Sequence, residues 1–405
     1  MAKTRDIDFS NLTELQKTAL KRIGEYKKEL AARGLYVRSA IELEFMAEDE
    51  HKRPIARRIY LPGLNQMLID TLADGKKYLE KTGYEAIGGL GLPGRSQPMV
   101  PEQYEINIAE PADRKQGFNS AAFRPEAVAH VTHLLKKQAL KDALLHTTCL
   151  TQISNDRAPY IEPNFSVRPY RGSEIAKKSN TKYENYGDLT SALHINVSLY
   201  DDKNRNVFGT DHDLLYRCAH ALLEVQNEAA ISMLPTEESL WRIHANNSTP
   251  NGIGISTGHN RYEDAKNNRG RLPISVRIVK AYGANHPQEV FDQTRIENRL
   301  PGVDADPFVS MAVSMAALVD AVRGRDRDGG KPCFAHKALE DRLLNEKLET
   351  VKATSYDLPN PKNDPRGHEK LIRQYERSKR MKELLGSELY GAILKEYKPE
   401  PARIH

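Results

Sequence analysis

Apolar and polar residues alternate strictly in five short stretches of this chain, and between them the spacing is helical or the pattern is lost. In YVRSAIELEFMAED, Ile41, Leu43 and Phe45 point one way and Glu42 and Glu44 the other, the period of a strand with one buried and one polar face. QYEINI repeats this, with Gln103, Glu105 and Asn107 opposed to Tyr104, Ile106 and Ile108. SALHINVSLYDD places His194, Asn196 and Ser198 on one face and Leu193, Ile195, Val197 and Leu199 on the other. LPISVRIV carries Ser275 and Arg277 on one side, and in TRIENRL the residues Arg295, Glu297 and Arg299 alternate with Ile296, Asn298 and Leu300.

Helical patterns fill much of the rest. Asn11 is positioned to cap a helix that runs to about Arg33, with Leu15, Leu20, Ile23 and Leu30 as its apolar stripe and Gly34 as its stop. Further helices are expected at about 63–81, from Pro125 to Leu145 with His130 and His133 as surface or packing residues, and from Asp213 to Met233 with Asp211 or His212 at the cap. Pro301, Gly302 and Pro307 break the last strand, and the run from Phe308 to Val322 then reads as a buried helix. From Arg366 to Lys398, Glu369, Glu376, Glu383 and Glu388 recur among basic residues as on a solvated helix face. Residues 157–188 and 241–255 read as loops, and the stretch beginning GYEAIGG reads as a glycine-rich connection.

Strands with one apolar face make a sheet with helices packed on that side. The other side then gathers Glu42, Glu44, Glu105, His194 and Glu297 with Arg277, Arg295 and Arg299. Carboxylates so concentrated repel one another unless cations neutralise them, and oxygen ligands with one imidazole suit Mg²⁺ or Mn²⁺ better than structural zinc. Guanidinium forks beside them fit a phosphorylated or carboxylate substrate, which points to phosphoryl transfer. The alternative is a twisted sheet with one solvated face.

Composition narrows the classes. The 405 residues allow one large domain or two ordinary ones. The net charge of +5 comes from 60 basic and 55 acidic residues interspersed along the chain, which lacks the concentrated basic stripe of a nucleic-acid binder. Cys149, Cys218 and Cys333 are scattered without CxxC spacing, so neither a disulfide framework nor a zinc site is indicated and a cytoplasmic home is expected. The N-terminus has no apolar signal core, and no segment is expected to reach the length of uninterrupted apolar residues that a membrane span needs. Gly89, Gly91 and Gly94 satisfy GxGxxG, but Pro93, Pro98 and Pro101 forbid the helix that this motif requires, and there is no GxxxxGK[ST].

The ordered set IELEF, QYEIN, HINVSL, SVRI and RIENRLPGVDADPF resembles the catalytic domain of glutamine synthetases, and LIRQYERSKRMKELLG resembles that family's final helical region. The resemblance covers roughly residues 35 to 395. It implies an α+β fold, a curved antiparallel sheet backed by helices as in glutamine synthetases and guanido kinases. The domain plan would be an N-terminal helix over 1–34, a catalytic domain over 35–397 and a tail over 398–405. It also implies ATP, Mg²⁺ or Mn²⁺, a small-molecule carboxylate activated as an acyl phosphate, and an amine that attacks it; a homo-oligomer is expected. By resemblance Glu44 and Glu105 hold one metal, and Glu42, His194 and Glu297 the other. Arg299 holds the substrate carboxylate, Arg277 and Arg295 lie near the phosphates, Asn196 and Ser198 touch the nucleotide, and Arg242 is a further substrate-binding arginine.

Four departures bear on the acceptor. Gln97 stands where the family has a third carboxylate ligand, with Glu102 close by as a substitute, and Ser248 falls near the position of the flap glutamate that takes a proton from ammonium. Leu189, Thr190, Ser191 and Ala192 replace the loop Asn-Gly-Ser-Gly, and the early arrival of Glu42 leads to the expectation of a catalytic domain without the family's N-terminal β domain. These departures suggest a ligase that joins a carboxylate, such as glutamate, to an amine other than free ammonia. A nucleotide-binding pseudoenzyme or regulator and a phosphotransferase of related fold are the other readings.

Overall fold

The computed structural model describes residues 9–52, 84–87, 103–110, 120–144, 162–168, 190–245, 254–259, 274–280, 294–329, 358–361 and 363–398. The helix expected at 63–81, the Gly89–Gly94 motif, Gln97, Glu102, Cys149, Leu189, Ser248 and Cys333 lie outside these residues.

One eight-stranded open sheet organises the protein. Its strands are β1 (Tyr36–Glu48), β2 (Tyr84–Ile87), β3 (Gln103–Ala109), β4 (Glu162–Asn164), β5 (Leu193–Tyr200), β6 (Gly254–His259), β7 (Ile274–Lys280) and β8 (Arg295–Asn298). The order across the sheet is β2-β3-β1-β5-β8-β7-β6, with β4 pairing the far end of β1. The pairs are antiparallel, apart from β6 and β7, which run parallel. The α+β class and the helix-backed, mainly antiparallel sheet are as expected.

The apolar face of the sheet carries the helices. These are α1 (Glu14–Ala31), α2 (Pro125–Leu134, continuing through a π turn at Leu135–Ala139), α3 (His212–Glu228), α4 (Ala230–Met233), α5 (Glu237–Ala245), α6 (Pro307–Arg327), α7 (Gly367–Arg377) and α8 (Lys379–Tyr397). Helix α6 lies at the centre and packs on α3, α1, α2 and β5. Its side chains from Pro307 to Val319 are all buried, so the Phe308–Val322 run is the core helix that the pattern predicts. By length and composition it would also pass for a membrane span, with mean hydropathy 1.3, although Ser310, Ser314 and Asp320 interrupt its apolar run as expected. Since 83% of that window is buried inside the protein, it is a core helix here.

Local chemistry sets the element ends. Thr13, not Asn11, caps α1: its Oγ1 accepts from the Gln16 N–H while the Gln16 side chain accepts from the Thr13 N–H, a reciprocal capping box. Gly34 ends that helix with φ +69°, a left-handed turn that other residues adopt at a cost. Asp211 caps α3 through the Leu214 N–H, as expected. Asp306 caps α6, accepting from Phe308 and Val309, and its other oxygen receives Gln16 of α1 at 2.7 Å. His130 and His133 pack as rings against Phe308, and His130 also against Phe9.

The loop expectations need correcting. Within 157–188, residues 162–164 form β4, because Met46–Glu48 at the end of β1 offer backbone groups for pairing. Within 241–255 the chain is helical to Ala245 and a strand from Gly254, both held by tertiary contacts that local polarity does not reveal. Tyr84–Ile87, read as part of a glycine-rich connection, forms the edge strand β2 against β3.

Candidate active site

Register alone brings the sequence-predicted residues together. Residues directly opposite one another on neighbouring strands share a face, about 5 Å apart. Glu44 faces Glu105 across β1 and β3, and Glu42 faces Asn107 on that side and His194 of β5 on the other. Asn196 faces Glu297 of β8, which in turn faces Arg277 of β7. Three adjacent polar rows, stepped by two residues along the strands, therefore make one patch across five strands, from Glu105 to Arg277.

Burial separates this face from a solvated one. β5 is buried on both sides: Leu193, Ile195, Val197 and Leu199 lie under the helices, and His194, Asn196 and Ser198 on the polar face are each under 10% exposed. Glu297 is 2% exposed. Polar groups so removed from water are costly unless paired, so the solvated-sheet alternative does not fit.

His194 Nδ1 is the hub. It lies 3.2 Å from Glu42 Oε2, 3.4 Å from Glu297 Oε1 and 3.8 Å from Glu44 Oε1. The remaining donors fix each carboxylate. Ala192 donates its backbone N–H to Glu44 Oε2 at 2.8 Å, Asn196 Nδ2 donates to Glu42 Oε1 at 2.9 Å, and Asn107 Nδ2 donates to Glu105 Oε1 at 3.1 Å. Arg295 Nε donates to Asn196 Oδ1 at 2.9 Å. Arg299 Nη1 donates to Glu297 Oε1 at 2.8 Å, and Arg277 Nη1 lies 3.5 Å from Glu297 Oε2.

The carboxyl groups respond differently to this setting. Burial would raise Glu42, but the hydrogen bonds of His194 and Asn196 and the charges of His194 and Arg295 outweigh it and hold the group at about 2. Glu105 is pushed up to about 7 by burial first, then by the charges of Glu42 and Glu44. Burial and Arg299 push His194 down, yet Glu44, Glu42 and Glu297 outweigh them and raise it. The cluster therefore favours an added positive charge at its centre.

Ligand atoms of Glu42, His194 and Glu297 all lie within 4.8 Å of one another. Two carboxylates and an imidazole converging in this way fit a divalent cation by donor chemistry.

Two expected residues are placed otherwise than open contact would suggest. Ser198 lies on the polar face, but its hydroxyl donates to the Thr294 carbonyl at 3.1 Å. Arg242, on α5, sends Nη2 to the carbonyls of Arg299 and Pro301, each at 3.1 Å, and to that of Leu300. Burial pulls the Arg242 guanidinium down to about 10.

Residues that sequence reasoning missed lie on the helix side of β8. Asn298, fully buried, accepts from Gln226 Nε2 at 2.7 Å and from the Leu300 N–H at 3.2 Å, and donates to Ser314 Oγ at 2.9 Å. One signal was available, a polar residue at an apolar position of an alternating strand, facing Ser314 within the apolar run of α6.

The fold and site together define an α+β protein with carboxylates, one histidine and arginines gathered on an open, mainly antiparallel sheet. A family profile described as "Glutamine synthetase, catalytic domain" matches residues 181–388, and the chain belongs to that family. Among solved structures, one described as "Crystal structure of novel glutamine synthase homolog" is similar with TM-score 0.57 at 15% identity, covering 94% of this chain and 70% of that one. Two structures of GmaS also match. The apo form without ligand has TM-score 0.53 at 15% identity, covering 97% of this chain and 74% of that one. A GmaS/ADP complex has TM-score 0.52 at 17% identity, covering 94% and 73%. At these identities the likeness shows the fold. Curated proteins provide no match. The family is one of ATP-dependent ligases acting on small molecules.

Proposed function

We propose that this protein is an ATP-dependent carboxylate–amine ligase, forming an amide through an acyl phosphate on glutamate or a related amino acid, with an amine other than free ammonia as acceptor. The observation that carries this reading is the convergence of Glu42, His194 and Glu297 around one point, ringed by Arg277, Arg295 and Arg299. The adenine nucleotide of the GmaS complex supports ATP as the phosphoryl donor.

Glu42, His194 and Glu297 would hold one Mg²⁺ or Mn²⁺, and Glu44 with Glu105 a second. Bound there, divalent cations would offset the charge of the ATP phosphates and of the transferring phosphoryl group. Arg277 and Arg295 would meet the phosphates from the β7–β8 side, with Asn196 and Ser198 bordering the nucleotide. Arg299 would orient the substrate carboxylate, because its planar fork matches both carboxylate oxygens.

In the first step a carboxylate oxygen of the substrate attacks the γ-phosphorus of ATP, the bond to the bridging oxygen breaks, and ADP leaves. In the second the amine attacks the acyl carbon, the acyl carbon–oxygen bond breaks, inorganic phosphate departs and the nitrogen loses its proton. Catalysis of the first step rests on positioning and charge, which the rigid strand register supplies.

Phosphate release from ATP with Mg²⁺ or Mn²⁺, measured against amino acids with and without a panel of amines, tests the reading. Turnover that needs both acid and amine is expected. Turnover without an amine would point to a phosphotransferase, and nucleotide binding without turnover to a regulator.

A further inference from the structure

The chain leaves β8 through a turn at Arg299–Asp304 that joins the two halves of the site. On one side it carries Glu297 and Arg299. On the other, the Pro301 carbonyl accepts the Leu193 N–H at 3.1 Å, one residue before His194, and Ala192, whose N–H holds Glu44, bridges to Gly302. A shift of this turn would move two carboxylates and the imidazole together.

The carbonyls of Arg299, Leu300 and Pro301 all converge on Arg242 Nη2. A single charged nitrogen thus meets three successive carbonyls at the strand end, of which that of Pro301 also accepts from Leu193 of β5. Helix α5 presents that nitrogen from a firm base, since the neighbouring Trp241 lies under the Arg168 guanidinium at 3.4 Å and Leu240 is fully buried. The Arg242 Nε, also buried, meets no hydrogen-bond partner among the described residues, so the side chain is oriented by the three carbonyls.

We propose that Arg242 is a positioning residue: it clamps the Arg299–Pro301 carbonyls so that Glu297 and Arg299 keep their places against His194, and it does not itself hold the substrate carboxylate. This rests on the ligase reading for its kinetic arm, but its binding arm does not.

The test is Mn²⁺ binding to the full chain with no nucleotide or carboxylate present, for wild type, Arg242→Ala and Arg242→Lys, followed by steady-state kinetics. Arg242→Ala is expected to weaken Mn²⁺ about tenfold and to lower kcat about 10–100-fold, with KM for the carboxylate within about twofold. Arg242→Lys is expected to recover part of both, because an ammonium still donates to carbonyls. Thr236→Ala is the control for loosening alone: it removes the 2.6 Å bond from Thr236 Oγ1 to Asp304 and the bond that the same oxygen accepts from the Ser239 N–H in the first turn of α5, and it keeps the Arg242 guanidinium. It is expected to keep wild-type Mn²⁺ affinity.

A raised carboxylate KM with unchanged Mn²⁺ affinity in Arg242→Ala would make Arg242 a substrate contact and overturn the proposal. Equal loss of Mn²⁺ in Thr236→Ala would overturn it as mere loosening. A wild-type chain that binds Mn²⁺ but turns over no ATP would sink the ligase reading and leave the binding comparison standing, whereas one that binds no Mn²⁺ would overturn both.

Discussion

Arg299 Nη1 donates to Glu297 Oε1 at 2.8 Å from a position only two residues further along the chain. The period of an extended backbone puts both side chains on one face, and Arg277 reaches the other Glu297 oxygen from the next strand. A carboxylate 2% exposed thus lies between two guanidinium groups while one oxygen still faces His194.

Glu297→Gln keeps the shape of this side chain and removes the charge. Mn²⁺ affinity is expected to fall about a hundredfold or more, and metal-dependent turnover with it. Calorimetric titration measures this directly, and a variant with normal affinity would take Glu297 out of the metal site.

Asn196 links Arg295 to Glu42, accepting from one and donating to the other. Asn196→Leu should free both, leaving Glu42 without one of the bonds that keep it ionised. A rise of about tenfold in KM for ATP is expected, with smaller change in KM for the carboxylate. Equal changes in both would place Asn196 away from the nucleotide.

At Gly302 a methyl group would run into Asp304 Oδ1 and stand 2.8 Å from the Ser239 Cβ. The turn cannot shift freely, because the Gly302 N–H bonds to the Met233 carbonyl at 3.0 Å. Gly302→Ala should therefore cost about 1–3 kcal/mol in denaturant unfolding. A variant as stable as wild type would show that the turn relaxes.

Asn298 ties β8 to α3 and α6 through Gln226 and Ser314. Asn298→Ala would leave these buried groups without their partner, at a cost of about 1–3 kcal/mol. Restoring stability by the further changes Gln226→Leu and Ser314→Ala would confirm the polar knot as the source, and an additive loss would argue against it.

Glu110 is buried beside β1, its oxygens accepting from the Ser39 N–H and hydroxyl and from the Arg124 N–H. Burial pushes it up to about 7 in spite of those bonds. Because the folded group holds its proton more tightly than the unfolded one, its contribution is fully present below the ordinary carboxyl range near 4.5 and is lost as pH rises through about 7. Wild type should lose about 3 kcal/mol relative to Glu110→Gln between pH 4.5 and 7.5, with no further change above. A difference independent of pH would show that the three donors keep the carboxylate charged throughout.

The pattern of the chain was enough to place five of the strands, the core helix after Pro307 and the polar face with its acidic, histidine and arginine residues. Period-two alternation is a local property, and burial of one face forces it into the sequence. The edge strand at 84–87, β4 and helix α5 left no such mark. β4 exists because the end of β1 needs a partner, and α5 holds its place by packing and by Arg242.

What the sequence by itself determined is which side chains share a face and what chemistry they offer. Which of them meet was decided only by strand register and helix packing: that Glu42 faces His194, that Asn196 faces Glu297, and that Asn298 lies in a polar knot on the helix side. The same step turned Arg242 toward backbone carbonyls. The reason is range. Facing follows from neighbouring φ and ψ angles, whereas pairing depends on hydrogen bonds between segments as far apart as residues 42 and 194, which no local pattern encodes.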